Sequence, residues 1–233
     1  MKILALDSTA TTASVALCED TSLIAMTTLN AGLTHSEALL PLVEQLLIRA
    51  RLTPSDIDLF AISEGPGSFT GVRIGAATVK GLAFGREKPC IGVSTLESLA
   101  HNLACCDGII CPVMNARRDQ VYNALFRAKD GALTRLCPDR AIAVSELSGE
   151  LEAYNETIYI CGDGAPLCRH IPSHPVPDFL LWQNGYSVAQ CALALYKDGV
   201  RTTDTELAPT YLRLPQAERE RLEKLKNDNS KGE

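Results

Sequence analysis

Three short strings hold residues whose types could do chemistry. Asp7-Ser8-Thr9 sets a carboxylate and two hydroxyls at the end of an apolar run, Ile3 to Leu6. Such a group at a strand end can hold a metal-bound phosphate. Glu64-Gly65-Pro66-Gly67-Ser68-Phe69-Thr70-Gly71-Val72-Arg73-Ile74-Gly75 follows a second apolar run, Leu59 to Ser63. A strand, a glycine loop and a helix start leave backbone N–H groups unpaired where anions are well received. Thr34-His35-Ser36-Glu37 puts an imidazole where a helix should begin, with Thr34 and Glu37 spaced as a capping box. A helical histidine becomes a metal ligand when a second ligand stands one turn on.

Each string also has a plainer reading. On residue content alone, Asp7 is better explained by an Asx or Ser/Thr turn into the next strand. The glycine loop lacks the Lys-Ser/Thr ending of a Walker A motif and does not match G-x-G-x-x-G. Close backbone packing accounts for Gly65 and Gly67 as well as a phosphate does. One turn after His35 stands Leu39, so a lone helix-start histidine at a surface or interface is the better reading. Nucleophile schemes do not assemble: G-x-S-x-G and H-E-x-x-H are absent, and no cysteine sits in a catalytic context. His101, His170 and His174 have plain settings, the last two in the Pro-rich run Ile171–Pro177.

The elements that must position these residues come in two sets. Lys2–Asp7, Ala13–Cys18 and Leu23–Thr28 read as strands, Thr34–Arg51 as a helix, and Leu59–Ser63 as a strand. A nearly apolar helix, Thr70–Gly85, follows, then the strand Cys90–Val93 and a short helix capped by Ser94 and Glu97. The second half repeats the order: strands at Ile109–Met114, Val121–Arg127 and Leu133–Leu136, a short helix, the strand Thr157–Cys161, and a helix over Ser187–Tyr196. Two β-β-β-α-β-α units predict a duplicated α/β protein with a sheet in each lobe. Residues 1–104 form the first lobe, 105–215 the smaller second lobe, and 216–233 a charged tail with little apolar surface to bury.

Composition narrows the class. A formal charge of −6 over 233 residues carries no global basic signature of a free-standing nucleic-acid binder. Nine cysteines without a C-x-x-C, scattered through apolar runs, read as free thiols in a reduced compartment. The opening run is too short for a signal h-region and nothing approaches a membrane span, so a cytoplasmic protein is expected. In the helix from Thr34, Leu39, Leu40, Leu42, Val43, Leu46, Leu47 and Ala50 cover an arc of about 160° at 100° per residue, wider than one sheet face needs. The surplus predicts a helix-pair docking surface.

Together the strings resemble the TsaB (YeaZ) family. The likeness lies in Ile3-Leu4-Ala5-Leu6-Asp7-Ser8-Thr9, the histidine-led helix, Gly65 to Gly75, and Ile91-Gly92-Val93-Ser94-Thr95. It continues through Asn115-Ala116-Arg117 with Val121-Tyr122, and ends in Pro209-Thr210-Tyr211-Leu212-Arg213. The resemblance implies the duplicated actin-like (ASKHA) fold. It also implies a part in making threonylcarbamoyladenosine, next to the anticodon of tRNAs reading codons that begin with A. In that family's pathway TsaD transfers the threonylcarbamoyl group, using a metal on an H-x-x-x-H helix. TsaB is its non-catalytic partner, and the ATPase TsaE joins them. Here that helix reads His35-Ser36-Glu37-Ala38-Leu39, so the metal site looks lost.

The expectations follow. No residue is catalytic and none holds a metal. Nucleotide is not bound tightly, with ATP or ADP at most where partners meet, and tRNA is met only through the complex. The chain pairs with TsaD, or with itself when alone, through Leu33, His35, Leu39, Leu42, Val43, Leu46, Val72, Gly75 and Val79. The competing readings are an independent actin-fold ATPase or kinase, using Asp7 and Gly162-Asp163-Gly164, and a metallopeptidase.

Overall fold

The computed structural model describes residues 1–213, so the tail expected over 216–233 lies outside the described residues. The first sheet grows around β1 (Lys2–Asp7), which pairs antiparallel with β2 (Ala13–Glu19) and parallel with β4 (Leu59–Gly65). The strand β3 (Ser22–Leu29) lies outside β2, and β5 (Cys90–Ser94) outside β4. Side chains alternate across this sheet. Leu4, Leu6, Val15, Leu17, Phe60 and Ile62 pack under the helices α1 (His35–Ala50) and α2 (Phe69–Ala83). Ile3, Ala5, Ala16, Cys18, Leu59 and Ala61 line the opposite face. A strand buried on both faces reads as a continuous apolar run, which is how β1 and β4 appear in the sequence.

The second sheet is built on the same plan around β6 (Gly108–Arg117). Antiparallel to one edge run β7 (Gln120–Asn123) and β8 (Phe126–Lys129), and parallel to the other runs β11 (Ile158–Cys161). The outer strands are β9 (Ala132–Arg135) and β10 (Arg140–Ala143), and α4 (Val144–Leu151) precedes β11. Each sheet therefore has a central strand with an antiparallel neighbour on one side and a parallel one on the other. This is the duplicated actin-like architecture.

One predicted strand is split. β7 and β8 are the halves of a single strand returning along β6, broken at Ala124-Leu125. In this register Ala124 faces Pro112, which has no N–H to give the ladder. The Asn123 side chain supplies the missing donor, reaching the carbonyls of Pro112 at 3.1 Å and Ala124 at 2.9 Å.

The lobe boundaries differ more deeply from the expectation. The helix α3 (Thr95–His101), counted with the first lobe, packs Leu96, Leu99 and Ala100 against Ile110, Met114 and Phe126 of the second. After the short α5 (Asp178–Leu181), α6 (Gly185–Lys197), counted with the second lobe, sets Val188, Ala189 and Ala192 against Ile3, Ala5 and Ile91 of the first. The reason is the doubly apolar first sheet, whose second face must be covered and has no helix of its own. The chain then stays with that sheet: Cys90 N–H donates to the Thr202 carbonyl and Thr210 N–H to the Glu64 carbonyl. The first lobe is thus made from both ends of the described chain, not from residues 1–104.

Candidate functional site

The three strings converge where β1, β4 and β11 end. Asp7 is fully buried, and its Oδ1 accepts both the N–H and the hydroxyl of Thr9 at 2.9 and 2.8 Å. This is the Asx turn that the plainer reading favoured. Its Oδ2 is buried without a partner. Burial pushes the carboxyl above its usual range, and the Ser63 and Thr9 groups beside it offset part of that rise.

The glycine loop packs on this turn. Ser68 N–H donates to the Thr9 carbonyl at 2.7 Å, and Ser8 Oγ donates to the Gly71 carbonyl at 2.9 Å. A Cβ on Gly71 would stand 2.0 Å from the Ser8 carbonyl oxygen, and one on Gly67 would stand 2.6 Å from that of Thr9. At Gly65, where φ is +126°, a Cβ would meet the Thr210 carbonyl oxygen at 2.3 Å. The glycines therefore serve chain-to-chain approach on both sides of the loop. Two of the loop's N–H groups already have partners within the chain, Ser68 N–H on the Thr9 carbonyl and Gly71 N–H on the Ser68 Oγ at 3.3 Å.

His35 sits beside the same turn. Its Nε2 lies 2.7 Å from the Ala10 carbonyl oxygen, which can only accept, so Nε2 carries the proton. Its Nδ1 is buried without a partner. Leu39 points into the core, 0% exposed, away from any shared metal site. A metal of the H-x-x-x-H kind does not fit this helix.

From the second lobe, Gly162-Asp163-Gly164 closes on Asp7. Burial raises the Asp163 carboxyl to about 6; the Asn115 backbone N–H opposes that rise and the Asp7 charge adds to it. Its Oδ1 is also buried without a partner. Asp7 therefore helps to keep the half-buried Asp163 carboxyl protonated, and acids placed like this can share a proton or a cation. Sequence reasoning joined them only in the competing ATPase reading, since 156 positions of chain divide them and it takes the duplicated fold to bring the two sheet ends together.

The strap Thr210–Arg213 was also missed as a working element. Thr210 hydroxyl donates to Glu64, Tyr211 stacks on Phe69 with ring centroids 4.8 Å apart, and Arg213 donates to the Ala116 carbonyl at 2.7 Å. The Arg73 guanidinium lies over the Phe69 ring, 4.5 Å from its centroid. Gly92 leaves room for the Glu64 carboxylate, which a Cβ there would meet at 1.8 Å.

The helix-pair surface needs correction. Leu39, Val43, Leu46, Val72 and Val79 lie in the core under the first sheet, and Gly75 faces Ser8 and Ile62. They have no surface to offer a partner. The wide apolar arc of α1 is consumed by its own sheet and by α2. What remains outside is Leu33, Leu40, half-buried Leu42 and His35, and Ile48 at 67% exposure on the α1 side. On α2 it is Arg73, Ala77, Gly81 and then Phe84, 76% exposed. A Cβ on Gly81 would meet open space.

Comparison with known proteins places the chain. The family described as "TsaD: tRNA N6-adenosine threonylcarbamoyltransferase" matches residues 29–218. The TsaB protein of Bacillus subtilis, named for tRNA threonylcarbamoyladenosine biosynthesis, is 31% identical over 97% of this chain and 100% of its own. The chain belongs to the TsaB family. The Escherichia coli TsaB protein is 37% identical over 57% of this chain and 58% of its own. The crystal structure of YeaZ from Pseudomonas aeruginosa superposes with a TM-score of 0.78 at 27% identity, covering 91% of this chain and 99% of that one. Among the described residues, no helix is long and apolar enough to cross a membrane.

Proposed function

We propose that this chain is the non-catalytic partner of a TsaD-type transferase in the formation of threonylcarbamoyladenosine on tRNA. The observation that carries this reading is His35 followed by a core-buried Leu39 on the helix where the family's transferase holds its metal. The glycine loop supports it, because its glycines are spent on close approach to Thr9 and Thr210 within the chain and its Ser68 and Gly71 N–H groups already have partners. Any ATP or ADP would then be held where partners meet. TsaE joins the assembly, tRNA reaches the chain only through it, and the site of action is the cytoplasm.

The partner's place is the outer face of α1 and α2. Leu40, Ile48 and Phe84 are large apolar groups left in water, and Ala77 with Gly81 lets a second helix come close. In the absence of TsaD a second copy takes the same face through a two-fold axis. The test is reconstitution with threonylcarbamoyl-adenylate and tRNA. The chain alone should give no modified tRNA, and adding the transferase should give turnover that depends on both proteins. Turnover by the chain alone would overturn the proposal.

A further inference from the structure

The crossing of α3 and α6, where the two lobes exchange helices, gathers three ligand types of different chemistry. Glu97 and His101 stand one turn apart on α3, and Cys191 of α6 comes up against both. Their carboxylate, imidazole and thiol donor atoms lie within 4.8 Å of one another. Cys191 is 2% exposed, whereas Glu97 and His101 are half-buried. A cavity of about 380 Å³ adjoins them, lined by His101, Ser187, Gln190 and Leu193 among others. Gln190 Nε2, on its rim, is buried without a partner.

We propose that Glu97, His101 and Cys191 bind a zinc ion, with the fourth position open toward this cavity. Thiolate, imidazole and carboxylate together select zinc over magnesium or calcium, which prefer oxygen ligands alone. One carboxylate and one thiolate supply two negative charges to a divalent ion, so the bound site is neutral. Arg135 holds Glu97 Oε2 at 2.6 Å and is itself held by Asp139, which leaves Glu97 Oε1 for the metal and fixes its direction. Donors in a tetrahedral zinc site stand about 3.3–3.7 Å apart, from bond lengths of about 2.0–2.3 Å. The three groups must therefore close by about 1 Å, which rotation of the half-buried His101 side chain toward the held Glu97 carboxylate supplies. The ion would tie α3, packed on the second sheet, to α6, packed on the first. This site is independent of the partner role and of the helix that lost its second histidine.

The experiment uses the full chain, stripped with a chelator and titrated with Zn²⁺ alone, with Co²⁺ as a spectroscopic substitute. One equivalent should bind, the Co²⁺ form should show thiolate charge-transfer absorption, and melting should shift upward with Zn²⁺. C191S and H101Q should each weaken binding at least tenfold. Replacing the neighbours Cys105, exposed, and Cys106, half-buried, by serine should leave it unchanged. Should C191S fail to fold, H101Q, at a half-buried position, decides the matter. Binding unaffected by H101Q, binding lost with Cys105 and Cys106, or no saturable binding at micromolar Zn²⁺ would each overturn the proposal.

Discussion

The two lobes share a strand plan and differ in what covers it. Around β1 the sheet has five strands and long helices, α1 and α2 on one face and α6 on the other. Around β6, among the described residues, no strand lies outside β11 as β5 lies outside β4, α4 is only 8 residues, and one face is covered by α3 from the first half. Duplication kept the sheet order because β pairing is what closes each core. The helices were free to diverge once a neighbour could supply the missing cover. The consequence is asymmetry: among the described residues, only the first lobe has a pair of long helices with apolar groups facing outward.

The sharpest way to break this comparison is at the glycine loop. Gly71→Ala must push a Cβ into the Ser8 carbonyl, 2.0 Å away, and should cost at least about 3 kcal/mol. Gly149→Ala, on the second lobe's α4 with nothing within 4 Å, should instead stabilise by about 0.5–1 kcal/mol. Urea unfolding of both variants measures this, and equal losses would mean the loop's glycines are not there for close approach.

Leu46 and Ile48 separate the core of α1 from its outer face. Leu46→Ala should cost about 2–5 kcal/mol, because that side chain is core. Ile48→Glu should change stability by less than about 0.5 kcal/mol while weakening both self-association and transferase binding at least tenfold, read by sedimentation. Unchanged association with Ile48→Glu would move the docking face off α1.

The acid pair at the lobe junction gives a pH test. Asp163 is raised in the folded chain from 3.8 to about 6, so the folded state holds a proton that the unfolded state releases. Its contribution is full below about pH 4 and is lost as pH rises through about 6, a swing of roughly 2–3 kcal/mol. Asp163→Asn should remove that swing and leave the variant more stable than the wild type above pH 7, by thermal melting at pH 4.5 and 8. Parallel profiles for the two proteins would show that the junction does not strain this carboxyl.

The smallest effect is expected from the tail. Truncation after Arg213 preserves the hydrogen bond to Ala116 and should lower the melting temperature by less than about 3 °C. A larger drop would give residues 214–233 a docking place.

Much of this was legible because local rules act alone. The apolar runs of β1, β4 and β6 announced buried strands, and Thr34 with Glu37 announced the start of α1, where Thr34 N–H meets the Glu37 carboxylate at 3.2 Å. The Ser94 cap was half right: its Oγ accepts Glu97 N–H, while Glu97 turns its carboxylate to Arg135. Asp7-Ser8-Thr9 and the glycine loop were found by type and spacing, and the absence of a second histidine after His35 is a matter of sequence alone.

Tertiary structure decided the rest, and in each instance through partners distant along the chain. The width of an apolar arc counts hydrophobic residues but not the surfaces that cover them, so Leu39, Val43, Leu46 and Val79 looked free and are core. Which sheet α3 and α6 serve depends on whose face is left bare, a property of the assembled sheets. The approach of Asp163 to Asp7, of Thr210 to Gly65, and of Cys191 to Glu97 and His101 is set by the packing of the two lobes. Periodicity reports which way a side chain points; only the folded chain supplies what it points at.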